Sequence, residues 1–150
     1  MQKILISLVI ALLACATVSA SEKTDVMAVV HKWVDGFNGG DTKSMSSMCT
    51  DDAIILDDFS PHVWQGSGAC ANWSKDYGAF AKASAITVPK VTVGQAKHLD
   101  VDAGYAYLVA PTTYTYSKDG KPVTESGMVA MTLHKTAGGW KISGWAWADQ

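Results

Sequence analysis

Trp33 to Asp58 reads WVDGFNGGDTKSMSSMCTDDAIILDD. Its first residues close an apolar stripe: Val26, Val29, Val30, Trp33, Val34 and Phe37 recur at steps of three and four, which places them on one face of a helix. Thr24 or Asp25 suits the start of that helix, and Asn38-Gly39-Gly40 suits its end. Asp41 then caps a short second helix, Thr42 to Cys49, with Met45, Met48 and Cys49 turned inward. Ala53 to Leu56 reads as a short buried strand, and Asp57 to Gln65 as irregular.

Further along, Ser67 can cap a third helix on which Cys70, Trp73, Tyr77 and Phe80 share a face. From Ile86 the pattern turns to strands. Ile86 to Leu99 comes first, broken at Pro89, followed by a turn at Asp100 to Gly104. Tyr105 to Tyr116, the Asp119-Gly120 hairpin, Val123 to Lys135, the Gly138-Gly139 turn and Trp140 to Ala148 complete a four-stranded antiparallel meander. Three helices followed by a meander make an α+β domain. Pro89, Pro111 and Gly127 are places for the strands to bend, and a curved sheet over helices encloses a cavity.

Upstream of this, Met1 to Ala20 has the layout of a cleavable signal peptide. Lys3 precedes an apolar run from Ile4 to Ala14, and Val18-Ser19-Ala20 is a small-residue cleavage site. The run is shorter than the ~20 residues of a membrane-spanning helix. Leu12-Leu13-Ala14-Cys15 also resembles a bacterial lipoprotein box, although Leu13 is an unusual residue there. Cleavage after Ala20 is the expectation, with periplasmic or secreted location, and lipid attachment at Cys15 is the alternative. Residues 21–150 are then one domain, with no repeat and no linker. That part carries a net charge of about −3 and the whole chain has no arginine. Mild acidity argues against nucleic acid, and the missing guanidinium disfavours phosphorylated substrates. Two cysteines remain, Cys49 and Cys70. An even count in an oxidising compartment is compatible with a disulfide, and two buried free thiols are the other reading.

The Trp33–Asp58 run, with Asn38-Gly39-Gly40-Asp41 between helices and Asp51-Asp52-Ala53 opening a strand, resembles the start of the nuclear transport factor 2-like superfamily. The tail from Gly120 to Asp149, GKPVTESGMVAMTLHKTAGGWKISGWAWAD, resembles the closing hairpin of its SnoaL-like branch. The resemblance implies a cone-shaped curved antiparallel sheet on three N-terminal helices, an apolar pocket, and often a homodimer packed through the sheet. It also implies a Cys49–Cys70 bridge. Members include isomerases, dehydratases, polyketide cyclases and modules without chemistry, so the fold alone assigns no activity.

Within that resemblance Asp57 occupies the position of the general-base aspartate of the ketosteroid isomerase branch. Such a base shuttles a proton between carbons while donors hold the developing enolate. Those donors do not match: Trp33 stands at the tyrosine position, and Ala130 or Met131 at the position of the acid. Steroid isomerisation is therefore not expected. The plainer reading of Asp57 is a strand-end carboxylate facing water beside Asp58. His62 lies on the following loop, where it can pair with Asp57 as an acid–base couple or simply be solvated. His31, His98 and His134 do not read as ligands, and no metal-binding spacing occurs, so neither a metal nor a cofactor is expected.

Aromatic residues are the remaining signal: Trp33, Trp64, Trp73, Tyr77, Tyr107, Tyr114, Trp145 and Trp147. Trp145 and Trp147 share a strand face by the period of two. We expect Trp33, Trp64, Trp73, Tyr77, Tyr107, Met131, Trp145 and Trp147 to line a pocket for a small apolar or aromatic ligand, although core and interface packing accounts for aromatics equally well. Asn72-Trp73-Ser74 is formally a glycosylation acceptor inside a helix. Three readings remain open: a binding domain, a proton-transfer enzyme (isomerase, polyketide-cyclase-like or hydro-lyase), and a non-catalytic interaction module.

Overall fold

The computed structural model describes residues 2–149, with side chains from residue 20 onward. Three helices, α1 (Gln2–Gly39), α2 (Thr42–Ser47) and α3 (Ala69–Ala83), pack on one sheet of seven strands. The strands are β1 (Cys49–Leu56), β2 (Val63–Gln65), β3 (Ile86–Val93), β4 (His98–Asp102), β5 (Tyr105–Lys118), β6 (Lys121–Thr136) and β7 (Gly139–Asp149). The order is β2-β1-β7-β6-β5-β3, and β4 pairs with β5. The α+β architecture expected from the sequence is present, with two refinements of the meander.

First, the sheet is mixed. β1 runs parallel to β7, with Ile55 opposite Trp145, and antiparallel to the short β2. The last strand of a meander leaves one edge unpaired, and β1 satisfies it. Second, Ile86 to Leu99 is two strands rather than one. The break falls at Gly94 to Lys97, where Gly94 N–H donates to the Pro111 carbonyl and Lys97 N–H to that of Val109. β5 is long enough to pair with β4 through Tyr105–Val109 and with β3 through Thr112–Lys118. Pro89 lies in a register shift between Thr87 and Lys90, as a residue without a ladder N–H requires.

The helix boundaries also move. Thr24 does not cap α1; its hydroxyl donates back to the Ala20 carbonyl at 3.1 Å, one turn earlier in a continuous helix. Residues 2–24 hold no glycine or proline to stop the helix. The cap of α3 is Gly68 with φ +78°, not Ser67, because the tight turn at Gly66–Gly68 needs left-handed backbone. Asp41 does cap α2, accepting from Ser44 N–H at 2.9 Å.

Asn38 does more than end α1. Its amide accepts from Val91 N–H at 2.7 Å and donates to the Val91 carbonyl at 2.8 Å. The end of the first helix is thereby stitched to β3 as if by an extra strand. Cys49 opens β1 and Cys70 sits in the first turn of α3; a disulfide joins them, with Cα atoms 6.5 Å apart. The core is built from Val26, Val30 and Trp33 of α1 against Leu108, Met131 and Ile142 of the sheet, all at most 6% exposed. Among the described residues, no helix is long and apolar enough to cross a membrane.

Candidate functional site

Where the sheet curls away from the helices, a cavity of about 140 Å³ lies between α1, α3 and the concave face. Alternation sets its sheet wall. Thr112, Tyr114 and Tyr116 of β5, Val129 and Met131 of β6, and Trp145 and Trp147 of β7 point into it at steps of two. The helices contribute Trp33 and Phe37 from α1, and Trp73, Tyr77 and Phe80 from α3. Trp147 packs over Gly127, where a Cβ would stand 2.7 Å from the indole ring and 2.5 Å from the Ala148 carbonyl oxygen.

The rings form one contiguous cluster. Trp33 meets Trp145 edge-on at 5.4 Å, Trp73 meets Trp145 edge-on at 4.9 Å, and Trp73 stacks on Tyr77 at 5.5 Å. Such pairings match positive ring edges to negative faces. The indole N–H groups of Trp33 and Trp145 are buried without a hydrogen-bond partner. A buried donor left unpaired costs about 1–3 kcal/mol.

Asp57 stands in the cavity wall at the end of β1, partly buried. Trp73 Nε1–H donates to its Oδ2 at 2.8 Å, and Asp58 N–H to its Oδ1 at 2.9 Å. Burial raises this carboxyl from 3.8 to about 6. The two N–H donors oppose the rise, and the neighbouring Asp58 charge adds to it. Across the cavity the Tyr77 and Tyr114 hydroxyls share a bond of 2.7 Å, and burial raises both above the usual phenol range. Tyr116 donates to Glu125 at 2.6 Å and is itself pushed up to about 12, chiefly by that bond. The site thus offers a carboxyl able to exchange a proton near neutral pH, phenols that stay protonated, and an aromatic enclosure.

Trp33, Trp73, Tyr77, Met131, Trp145 and Trp147 are brought together around this cavity with Asp57. Trp64 and Tyr107 are not. Trp64 is buried behind Phe59, with ring centroids 4.9 Å apart, and donates to Asp76 Oδ2 at 2.9 Å. Phe59 takes the cavity place, because β2 turns Trp64 under α3. Tyr107 is 45% exposed on the opposite face of β5, since the period of two that buries Ala106 and Leu108 turns it outward. His62 is exposed at φ +74°, with Nδ1 3.2 Å from the Asp57 backbone carbonyl, so it makes no couple with the carboxylate. Of the two candidates for the acid position, Met131 faces the cavity and Ala130 does not line it.

Phe37, Phe59, Phe80, Tyr116 and Glu125 line the cavity without having been singled out by sequence. The last two were readable. An Asp119-Gly120 hairpin sets Tyr114 opposite Glu125 and Tyr116 opposite Val123, and alternation then puts 112, 114, 116 and 125 on one face. Among the described residues no group of three or more His, Cys, Asp or Glu is arranged to hold a metal ion.

The model of the SnoaL-like domain family matches residues 26–146. Among curated proteins no relative matches the sequence. Solved structures with the same fold include a nuclear transport factor 2-like protein with a cystatin-like fold from Novosphingobium aromaticivorans. It is 14% identical, with a TM-score of 0.75 over 91% of this chain and 87% of that one. A nuclear transport factor 2-like superfamily protein from Salmonella enterica serovar Typhimurium is 9% identical, with a TM-score of 0.73 over 87% and 92%. A ketosteroid isomerase-like protein from Erwinia carotovora atroseptica is 16% identical, with a TM-score of 0.68 over 85% and 95%. Identities this low speak for fold alone.

Proposed function

The chain belongs to the SnoaL-like family, and from that premise we propose that it is an exported domain binding a small, largely apolar or aromatic molecule in its cavity. The observation that carries this reading is the aromatic enclosure with one carboxyl, Asp57, held in its wall by Trp73. A site built only for packing has no use for a partly buried carboxyl, whose desolvation is unfavourable. Export rests on the Met1–Ala20 leader, with Ser21 as the first residue of the mature form.

Mass spectrometry of the denatured, purified protein should release a small aromatic or apolar compound. Asp57→Ala and Trp147→Ala should each weaken rebinding of that compound at least tenfold. Unchanged affinity in both variants would put the binding site elsewhere.

The raised Asp57 carboxyl favours a second reading, a proton-transfer enzyme of isomerase, cyclase or hydro-lyase type. Met131 stands where an acid would hold an enolate, so Δ5-3-ketosteroid isomerisation is expected to be slight or absent. Robust turnover abolished by Asp57→Asn would instead establish the enzyme. A third reading, an interaction module, is favoured by a band of half-exposed apolar side chains on the outer sheet face, Ile54, Leu56 and Val63, which suits a homodimer.

A further inference from the structure

The charge pattern of this cavity narrows what can enter it; the inference rests on the binding reading above. Asp57, Asp58 and Glu125 line the cavity, and no lysine or histidine does. The chain contains no arginine. Among the described residues the one ion pair joins Lys135 to Glu22 and shares no member with these three carboxylates. Their hydrogen-bond donors are all neutral: Trp73 and the Asp58 N–H for Asp57, and Tyr116 for Glu125. Such donors orient a carboxylate without cancelling its charge. The Tyr77–Tyr114 hydroxyl pair feels the charge of both Asp57 and Glu125, so the two carboxylates act on one region of the cavity.

The rest of the lining is largely aromatic, with Trp73, Tyr77, Phe80, Trp145 and Trp147 around that region. Ring faces are electronegative, and a desolvated cation over them gains several times what it gains in water. An anion would meet repulsion from carboxylates and ring faces alike. A neutral ring would gain contact only. We propose that the cavity selects an organic cation, a protonated or quaternary amine carried on an apolar body about the size of one ring. The size follows from the 140 Å³ volume, close to the ~150 Å³ of an apolar cavity that holds benzene. The ammonium would sit against Asp57 and Glu125, and the ring among the indoles.

Three one-ring probes separate the possibilities: benzyltrimethylammonium, neutral benzyl alcohol and anionic phenylacetate, each titrated against the purified chain by calorimetry and tryptophan fluorescence. The cation is expected to bind at least tenfold more tightly than the alcohol, and phenylacetate not to bind. Asp57→Asn should lower cation affinity about tenfold, and by more than it lowers affinity for the alcohol; Glu125→Gln, at a separate position, should act in the same direction. The quaternary probe cannot titrate, so its pH dependence reports the protein. Its affinity should rise about tenfold from pH 5 to 7, as Asp57 ionises through about 6 among Asp58, Glu125 and the un-ionised Tyr77, Tyr114 and Tyr116. Alcohol binding equal to or tighter than the cation's, or cation affinity indifferent to both variants, would overturn the cation inference and leave the binding site standing. Failure of all three probes, with the displaced endogenous compound also failing to rebind, would overturn both.

Discussion

Asp57 shows how one side chain is set by its neighbours. Its carboxyl is raised from 3.8 to about 6, so between those values the folded protein holds a proton that the unfolded chain has released. Stability therefore falls as pH rises through that window, and above it the ionised, partly buried group is a standing cost. Asp57→Asn should be more favourable to stability at pH 7 than at pH 3.5 by about 1–2 kcal/mol after allowance for partial solvent screening, whatever the fixed cost of losing one of the two N–H bonds that its amide nitrogen cannot accept. Urea unfolding at the two pH values checks both the size and the sign. Trp73→Phe removes the indole donor that favours the charged form, so the Asp57 carboxyl should titrate higher than about 6 in a carbon-detected NMR titration. A fall would mean that the Trp73 bond does not act on the ionised state.

At the scale of elements, three small devices aim the cavity wall. Asn38 joins α1 to β3 through two backbone bonds, and Asn38→Ala should cost about 1–3 kcal/mol in thermal or urea unfolding. The Cys49–Cys70 bridge closes a 21-residue separation between the start of β1 and α3, the two elements that carry Asp57 and Trp73. Its replacement by two serines should cost about 3 kcal/mol on the chain-entropy scale. Gly127 leaves room for the Ala148 carbonyl oxygen and the Trp147 ring, which a Cβ would meet at 2.5 and 2.7 Å. Gly127→Ala should destabilise by about 1–3 kcal/mol and redden Trp147 emission as the ring is pushed toward solvent. The Asn38-Gly39-Gly40-Asp41 sequence was legible as a stop and a cap; that Asn38 binds a strand 53 residues away was not, because nothing local requires it.

For the molecule as a whole, the outer sheet face carries an apolar band. Val63, Leu56, Ala146, Ala130 and Val109 stand side by side in register across β2, β1, β7, β6 and β5. Leu56 in this row and Ile54 beside it are 48% and 47% exposed. An apolar band of this kind is unfavourable in water, and its small central alanines allow a flat surface to approach closely. We expect a homodimer through this face, with sedimentation at micromolar concentration showing a dimer and Ala130→Glu a monomer. A stable wild-type monomer would refute it. The exported form should begin at Ser21, as its intact mass would show; a diacylglyceryl group on Cys15 would replace that expectation.

The sequence by itself determined the α+β class, the order of helices before the long strands and the faces of those strands, because periods of 3.6 and 2 are local properties of the chain; it did not show β2 or the division of β3 from β4. The resemblance to the ketosteroid isomerase branch carried Asp57 to the cavity wall, while counting along a strand turned Trp145 and Trp147 together. The tertiary structure alone decided that β1 would run parallel beside β7 and that Phe59 would displace Trp64. It likewise decided that His62 would face a backbone carbonyl instead of a carboxylate. Those outcomes depend on which distant edges and volumes meet once the sheet curls, and short-range periodicity does not encode a long-range competition for one cavity.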